Sequence, residues 1–187
     1  YMGLIVCARA RDYAEITFKK FADELQAKYE AGQYAFGAAE NEKCRVAWEG
    51  IAVWTYLGHT FKTLKKEGAV MVGSCYPGMW SLVYKPGDML SMAEAYTKIY
   101  INTCLENRAN VLKETAEKSH SEGAVMHLNR SCKLMGFLNN EGGEYLTKEL
   151  GIPYVSFDGD QTDPRNYSEA QYETRVQALV EMIQERK

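Results

Sequence analysis

The residues best suited to chemistry are concentrated in one stretch of the chain, residues 123–133. It begins with small and apolar residues, as a buried strand does, and becomes polar from His127 onward. Its polar part contains five reactive or hydrogen-bonding side chains, His127, Asn129, Arg130, Ser131 and Cys132. A helix-like run follows at residues 134–138. Because α/β folds place ligands where a strand leads through a polar loop into a helix, we expect a binding site here.

Cys132 has the clearest chemical potential of these residues. It directly precedes the predicted helix, whose N-terminus would carry partial positive charge and free N–H groups that favour a thiolate. A thiolate can ligate iron or act as a nucleophile, although Cys132 could equally be a small residue that fills a tight turn. Cys75 is placed similarly, but Pro77 and Gly78 disfavour a helix start after it.

Other candidate residues each allow two interpretations. Arg130, beside Ser131, could bind a phosphate or carboxylate, or it could form a surface salt bridge. Glu49, at the end of a predicted strand, could be an acid or base, or it could cap the next helix. His127 lies within a strand pattern, which favours a core histidine over a catalytic base.

Four short apolar segments are predicted strands, at residues 43–48, 69–73, 124–128 and 154–157. A segment of helical length follows each one, which predicts a parallel sheet with helices on both faces. The expected fold is therefore a three-layer, doubly wound, flavodoxin-like α/β fold of about four strands. Since loops after parallel strands open at the same edge, Glu49, Ser74 and residues 129–132 should line one cleft.

The helix boundaries are predicted from capping residues and apolar spacing. Predicted helices cover residues 12–31, 53–66 and 89–116, with Asp12 and Asp88 as N-caps of the first and third. Gly142 and Gly143 should interrupt the helix after the third strand. The last helix should begin at Ser168 and bury one stripe of residues, Tyr172, Val176, Leu179, Val180 and Ile183.

Composition excludes several classes of protein. The formal net charge of −3 gives no basic surface for nucleic acid, and no apolar run approaches the length of a membrane span. The five cysteines are odd in number and widely spaced, which indicates a reducing cytoplasm rather than disulfides. Without a C-x-x-C pair, the chain alone should not complete a metal cluster.

The chain begins at Tyr1, so we interpret it as a piece of a longer polypeptide. Residues 1–42 would be a connecting segment and helix from a preceding domain. Residues 43–187 would form the α/β domain.

Residues 127–133 have the sequence His-Leu-Asn-Arg-Ser-Cys-Lys and resemble the third cysteine motif of the 2-hydroxyacyl-CoA dehydratase and benzoyl-CoA reductase family. Residues 45–50 are similar to the first strand of that family's second domain. The tail of the chain resembles the family at further positions, namely Gly151, Ile152, Pro153, Asp160, Asp163, Arg165, Gln171, Thr174, Arg175 and Glu181. The match covers residues 43–181.

The resemblance implies a subunit of two related α/β domains, of which this chain would be the C-terminal one. Such a subunit pairs with a homologous second subunit. Cys132 would be one ligand of a four-iron–four-sulfur cluster, and the other ligands would come from the missing N-terminal domain. A separate ATP-hydrolysing iron–sulfur activator would supply one electron. The resulting ketyl radical of a 2-hydroxyacyl-CoA thioester would expel its hydroxyl group.

The family resemblance does not assign the remaining site residues, so we place them by their position at the strand ends. Glu49 and Ser74 are our candidate catalytic residues, and Asn129, Arg130 and Ser131 are our candidates for binding the CoA thioester. Two alternatives remain open. One is a benzoyl-CoA-type reductase, and the other is a non-catalytic module that binds CoA or a nucleotide or mediates assembly. No glycine-rich nucleotide-binding signature is present, which weakens the interpretation as a nucleotide-binding module.

Overall fold

The computed structural model describes residues 7–8 and 11–187, and its backbone divides into two compact units. Parts of the predicted connecting segment, residues 1–6 and 9–10, lie outside the described residues. The unit Tyr1–Glu42 contains helix α1, Asp12–Glu30. The predicted cap at Asp12 is wrong, because Arg11 is the N-cap and no side chain caps the helix. Asp12 instead lies in the first turn, where a carboxylate is favoured by the helix dipole.

The unit Lys43–Lys187 alternates strands and helices. Its strands are β1 Cys44–Glu49, β2 Ala69–Gly73, β3 Gly123–Asn129 and β4 Tyr154–Gly159. Its helices are α2 Leu57–Glu67, α3 Met89–Thr97, α4 Leu105–Lys118, α5 Lys133–Gly136, α6 Asn139–Leu150 and α7 Glu169–Gln184. The strands form one parallel sheet in the order β2-β1-β3-β4, which confirms the predicted fold.

Helices cover both faces of the sheet. One apolar core contains Leu64 of α2 and the predicted inward stripe of α7, which is buried as expected. The other core contains Leu112 of α4 and Leu146 of α6. After β2 the chain crosses back over β1 to form β3. The direction in which successive strands are added to the sheet therefore reverses between β1 and β3. In open α/β sheets the crevice at this reversal point is where ligands bind.

The single helix predicted for residues 89–116 is instead two helices, α3 and α4. A 3₁₀ turn at Tyr100–Asn102 separates them, and the side chain of Asn102 donates to the carbonyl of Tyr96 near the end of α3. Tyr100 is buried by this break, which brings its ring into the core. The predicted caps at Asp88 and Ser168 are confirmed, since their side chains accept from the backbone N–H three residues later.

Gly142 and Gly143 do not interrupt a helix, contrary to the sequence prediction, because α6 runs continuously through both. A Cβ atom at Gly143 would lie 2.3 Å from Cδ2 of Tyr154 on β4. A Cβ atom at Gly142 would lie 3.1 Å from the flexible end of Leu112. Gly143 therefore serves the close approach of α6 to the sheet.

We expect Gly143→Ala to destabilise the protein by about 1–3 kcal/mol, because the new methyl group must displace the Tyr154 ring. Gly142→Ala is the matched control, since it makes the same change one position away in the same helix. It gains up to about 1 kcal/mol of helix propensity against a contact that can move aside. Urea unfolding followed by circular dichroism measures both, and equal midpoints for the two variants would contradict this packing.

Candidate functional site

The carboxyl ends of β1 and β3 contain a group of buried polar side chains. We call Glu49, Cys75, Tyr100, Arg108 and Asn139 the buried polar cluster. Glu49 is 0% exposed and Arg108 is 3% exposed, although both carry ionisable groups. Nη2 of Arg108 lies 3.7 Å from Oε1 of Glu49, and neither carboxyl oxygen has a hydrogen-bond partner among the described residues. The cluster therefore buries two ionisable groups that face each other inside the domain.

Burial dominates the electrostatics of this cluster. It raises the pKa of Glu49, and the effects of Tyr100, Arg108 and Cys75 only partly oppose the shift. Burial, followed by the nearby Glu49 charge, also raises the pKa of the Cys75 thiol. Cys75 consequently stays protonated and donates to Oγ1 of Thr115 at 3.5 Å. Cys75 is therefore a structural residue rather than a reactive thiolate.

Arg108 links the cluster to the loop after β3. Its Nη1 donates to the carbonyl oxygen of Leu134 at 2.5 Å, and its Nη2 donates to Oδ1 of Asn139 at 2.6 Å. The guanidinium carbon also lies 4.8 Å from the centre of the Tyr100 ring. Sequence reasoning missed Arg108, since an arginine within an amphipathic helix is normally exposed.

His127 is a core residue, as its strand position favoured. The ring is fully buried and stacks on Phe157 with centroids 5.0 Å apart. Nδ1 lies 2.5 Å from the carbonyl oxygen of Ile51, and since a carbonyl can only accept, Nδ1 carries the proton. Burial lowers the pKa of His127, so the ring is neutral and fixes the loop after β1.

The loops after β3 and β4 are joined by Asp160. Its buried carboxylate accepts from the Ser131 hydroxyl and from the backbone N–H groups of Thr162 and Asp163, both at 2.9 Å. These bonds, led by that of Ser131, lower the pKa of Asp160. Asn129 is also held internally, because its Oδ1 accepts from the N–H of Ser131 at 3.2 Å.

Arg130 is exposed and forms an ion pair with Asp158, whose Oδ1 lies 3.0 Å from Nη2. This is the surface salt bridge that the sequence left open. Arg130 also borders an open cavity of about 410 Å³ together with Arg165 and Gln171. Arg165 is itself paired with Asp163 at 2.6 Å, so both arginines have carboxylate partners.

The remaining predicted site residues lie at the same edge of the sheet. Cys132 is the N-cap of α5, which has only four residues, and its partly buried side chain packs against the core beside α4 and α6. Ser74 is partly buried, and its hydroxyl accepts from the N–H of Tyr76 at 3.3 Å. Glu49 is the last residue of β1 and lies at the same edge. It is fully buried, so it does not line an open cleft in this structure.

The described part of the chain contains no group of three or more His, Cys, Asp or Glu residues arranged to hold a metal ion. No helix among residues 7–8 and 11–187 is both long and apolar enough to cross a membrane.

Glu49→Gln should change how stability depends on pH. In the wild type the folded pKa is raised above the unfolded value of 4.5, so Glu49 favours the folded state below pH 4.5 and loses that contribution as pH rises. Glutamine does not titrate. The variant's free energy of unfolding should therefore rise relative to wild type, by about 1.4 kcal/mol per pH unit between the two pKa values. Denaturant melts from pH 4 upward test this, and a pH-independent difference would contradict it.

Asp160→Asn should have the opposite pH dependence. The folded pKa of Asp160 lies below its unfolded value of 3.8, so its stabilising contribution is present above pH 3.8 and lost as pH falls. We expect a loss of about 1–3 kcal/mol at pH 7, since Asn cannot accept all of these hydrogen bonds, and a smaller loss under acid conditions. Asp158→Asn, which breaks only an exposed pair, is the control and should cost about 0–1 kcal/mol. Equal losses of unfolding free energy in the two variants would contradict the role of Asp160 in joining the loops after β3 and β4.

Comparison with known proteins gives a consistent result. A sequence model of the family described as 2-hydroxyglutaryl-CoA dehydratase, D-component, matches residues 1–183. The alpha subunit of lactoyl-CoA dehydratase from Anaerotignum propionicum is 60% identical over 186 residues, which are 98% of this chain and 44% of that protein. The (R)-2-hydroxyisocaproyl-CoA dehydratase alpha subunit of Clostridioides difficile is 41% identical over 187 residues, covering 100% of this chain and 45% of that protein.

A benzoyl-CoA reductase subunit from Thauera aromatica is a more distant relative, 26% identical over 157 residues, which are 81% of this chain and 36% of that protein. The chain thus spans less than half the length of the curated relatives it matches. The resemblance inferred from the Cys132 motif is confirmed, and the chain belongs to the 2-hydroxyglutaryl-CoA dehydratase D-component family.

Proposed function

We propose that this chain is the C-terminal domain of the alpha subunit of an (R)-2-hydroxyacyl-CoA dehydratase, a hydro-lyase of the cytoplasm. The observation that carries the proposal is the alignment of nearly the whole chain with dehydratase alpha subunits, at 36–60% identity. The identity to the benzoyl-CoA reductase protein is lower, at 26%, which favours dehydration over ring reduction.

The partner we propose is a homologous second subunit. The names of the relatives, which are alpha subunits of their enzymes, support a second subunit. Its homology to this one is what the family resemblance implies. The substrate would be a 2-hydroxyacyl-CoA thioester. The names of the relatives differ in the acyl group, from lactoyl to phenyllactyl.

The reaction would be a radical elimination of water. An ATP-dependent iron–sulfur activator would deliver one electron, and the thioester would become a ketyl radical that expels the 2-hydroxyl group as hydroxide. Loss of a proton and return of the electron complete the elimination. The roles of Glu49 and Ser74 in catalysis, and of Asn129, Arg130 and Ser131 in binding the thioester, stay predictions.

In this proposal Cys132 supplies one thiolate to a four-iron–four-sulfur cluster, with the other ligands outside this chain. Its chemistry fits, because thiolates are the usual ligands of such clusters. Its position fits as well, since Cys132 lies at the reversal point of the sheet and is partly accessible. When bound, the cluster would supply electron transfer to the thioester.

Changing Cys132→Ser in the full-length subunit, purified with its partner without oxygen, should lower both iron and sulfide content. Dehydration in the presence of activator and ATP should fall with them, while circular dichroism shows an intact fold. Cys104→Ser is the matched control, because Cys104 is an exposed thiol that precedes helix α4. Full iron content and normal turnover in the Cys132 variant would refute the proposed ligand.

A further inference from the structure

The segment that carries Cys132 has little to hold it in place by itself. We call residues 132–136 the Cys132 segment. Its helix α5 is a single turn, closed by hydrogen bonds from the N–H of Gly136 to the carbonyl oxygen of Cys132 at 2.8 Å and from the N–H of Phe137 to that of Lys133 at 3.1 Å. Leu134 within it is 58% exposed. An isolated turn of this length is unstable in water, so contacts from elsewhere must fix its geometry.

Arg108 provides a buried anchor for the segment. From helix α4, its Nη1 donates to the carbonyl oxygen of Leu134, and Nη2 lies 3.6 Å from Sδ of Met135. Both acceptors belong to the Cys132 segment. The same Nη2 donates to Oδ1 of Asn139, at the start of α6 directly beyond the segment. One guanidinium therefore holds the segment and the helix that follows it.

The anchor is in turn fixed to the sheet. Nδ2 of Asn139 donates to the carbonyl oxygen of His127 in β3 at 2.8 Å. Gly136 lies directly against the end of β3, since a Cβ atom there would be 2.7 Å from the carbonyl oxygen of Asn129. Arg108 itself is positioned by the Tyr100 ring and by the Glu49 carboxyl group. The Cys132 segment is thereby tied to β1, β3 and α4 together.

From this geometry we infer that Arg108 is a positioning residue for the Cys132 sulfur, with Glu49 as its buried counter-ion. The inference rests on the proposed function, in which Cys132 ligates the cluster. Arg108 does not touch the substrate; it sets where the thiolate is presented. Glu49 thus has a structural reason for its burial that is independent of acid or base catalysis.

Arginine is suited to this role in a way that lysine is not. The planar guanidinium directs its N–H groups along fixed directions, so it can donate to Leu134 and Asn139 at once while its face lies over Tyr100. A lysine ammonium would keep the charge opposite Glu49 but would not reproduce this fork. Arg108→Lys therefore separates geometry from charge.

The test uses the full-length subunit with its partner, in three variants. Arg108→Lys removes the fork, and the double variant Glu49→Gln/Arg108→Gln removes the pair without leaving a buried lone charge. Lys113→Gln is the matched control, because Lys113 is also on α4 and also bridges to α6, through Glu149 at 3.5 Å. Lys113 has no contact with the Cys132 segment among its described interactions.

Two measurements are made on each variant. Amide hydrogen exchange of peptides covering residues 132–138, on cluster-free protein, reports the segment alone. We expect it to be at least about tenfold faster in Arg108→Lys and unchanged in Lys113→Gln, because Arg108 contacts the segment and Lys113 has no described contact with it. The electron paramagnetic resonance spectrum of the reduced cluster reports the ligand geometry and should change in Arg108→Lys.

Wild-type exchange or a wild-type spectrum in Arg108→Lys would overturn the inference, and loss of iron from a folded variant counts as a changed spectrum. If Arg108→Lys does not fold, the double variant decides by the same criteria. Failure of the proposed function has a different signature. In that case Cys132→Ser retains its iron, while hydrogen exchange still shows whether Arg108 anchors the segment.

Discussion

The burial of two facing ionisable groups, Glu49 and Arg108, is the constraint on which the candidate site depends. Removing two charges from water is costly, and attraction repays the cost only when the remaining polar atoms are satisfied. The guanidinium meets that condition through Leu134, Asn139 and the Tyr100 face, whereas the Glu49 carboxyl group accepts no hydrogen bond within the described residues. The pair therefore fixes the arrangement of the residues around Arg108 and lowers the folding stability of the domain.

The loops at this edge of the sheet are stabilised by different kinds of polar interaction. The buried guanidinium of Arg108 holds the Cys132 segment by donating to the Leu134 carbonyl oxygen. The Asp160 carboxylate joins the loops after β3 and β4 by accepting hydrogen bonds from N–H and O–H donors. His127 holds the loop after β1 through its hydrogen bond to the carbonyl oxygen of Ile51. Several polar side chains that resemble catalytic candidates thus form hydrogen bonds that hold these loops in place. Of the predicted site residues, Arg130 and Ser131 are exposed, and Ser74 and Cys132 are partly accessible.

Much of the fold could be predicted from the sequence because its signals are local. Short apolar runs between helical stripes define the parallel sheet, and the caps at Asp88 and Ser168 follow from side chains that reach only three residues. The Cys132 motif was similarly recognisable. Tertiary packing decided the rest. Gly142 and Gly143 resemble a helix break until the Tyr154 ring is placed beside them, and Arg108 resembles a surface residue until Glu49 lies opposite.

The order of the strands also has a consequence for how the chain reaches its native state. The central pair, β1 with β3, joins parts of the chain far apart in sequence: the N–H of Arg45 donates to Glu122, 77 residues later. Such non-local pairing is slow, because the entropy of closing a long loop is lost before contacts repay it. Glu49 and Arg108 remain hydrated until β1 pairs with β3 and α4 docks over them. We expect their dehydration to fall late on the folding pathway, so that the surface presenting Cys132 is among the last parts of the domain to take shape.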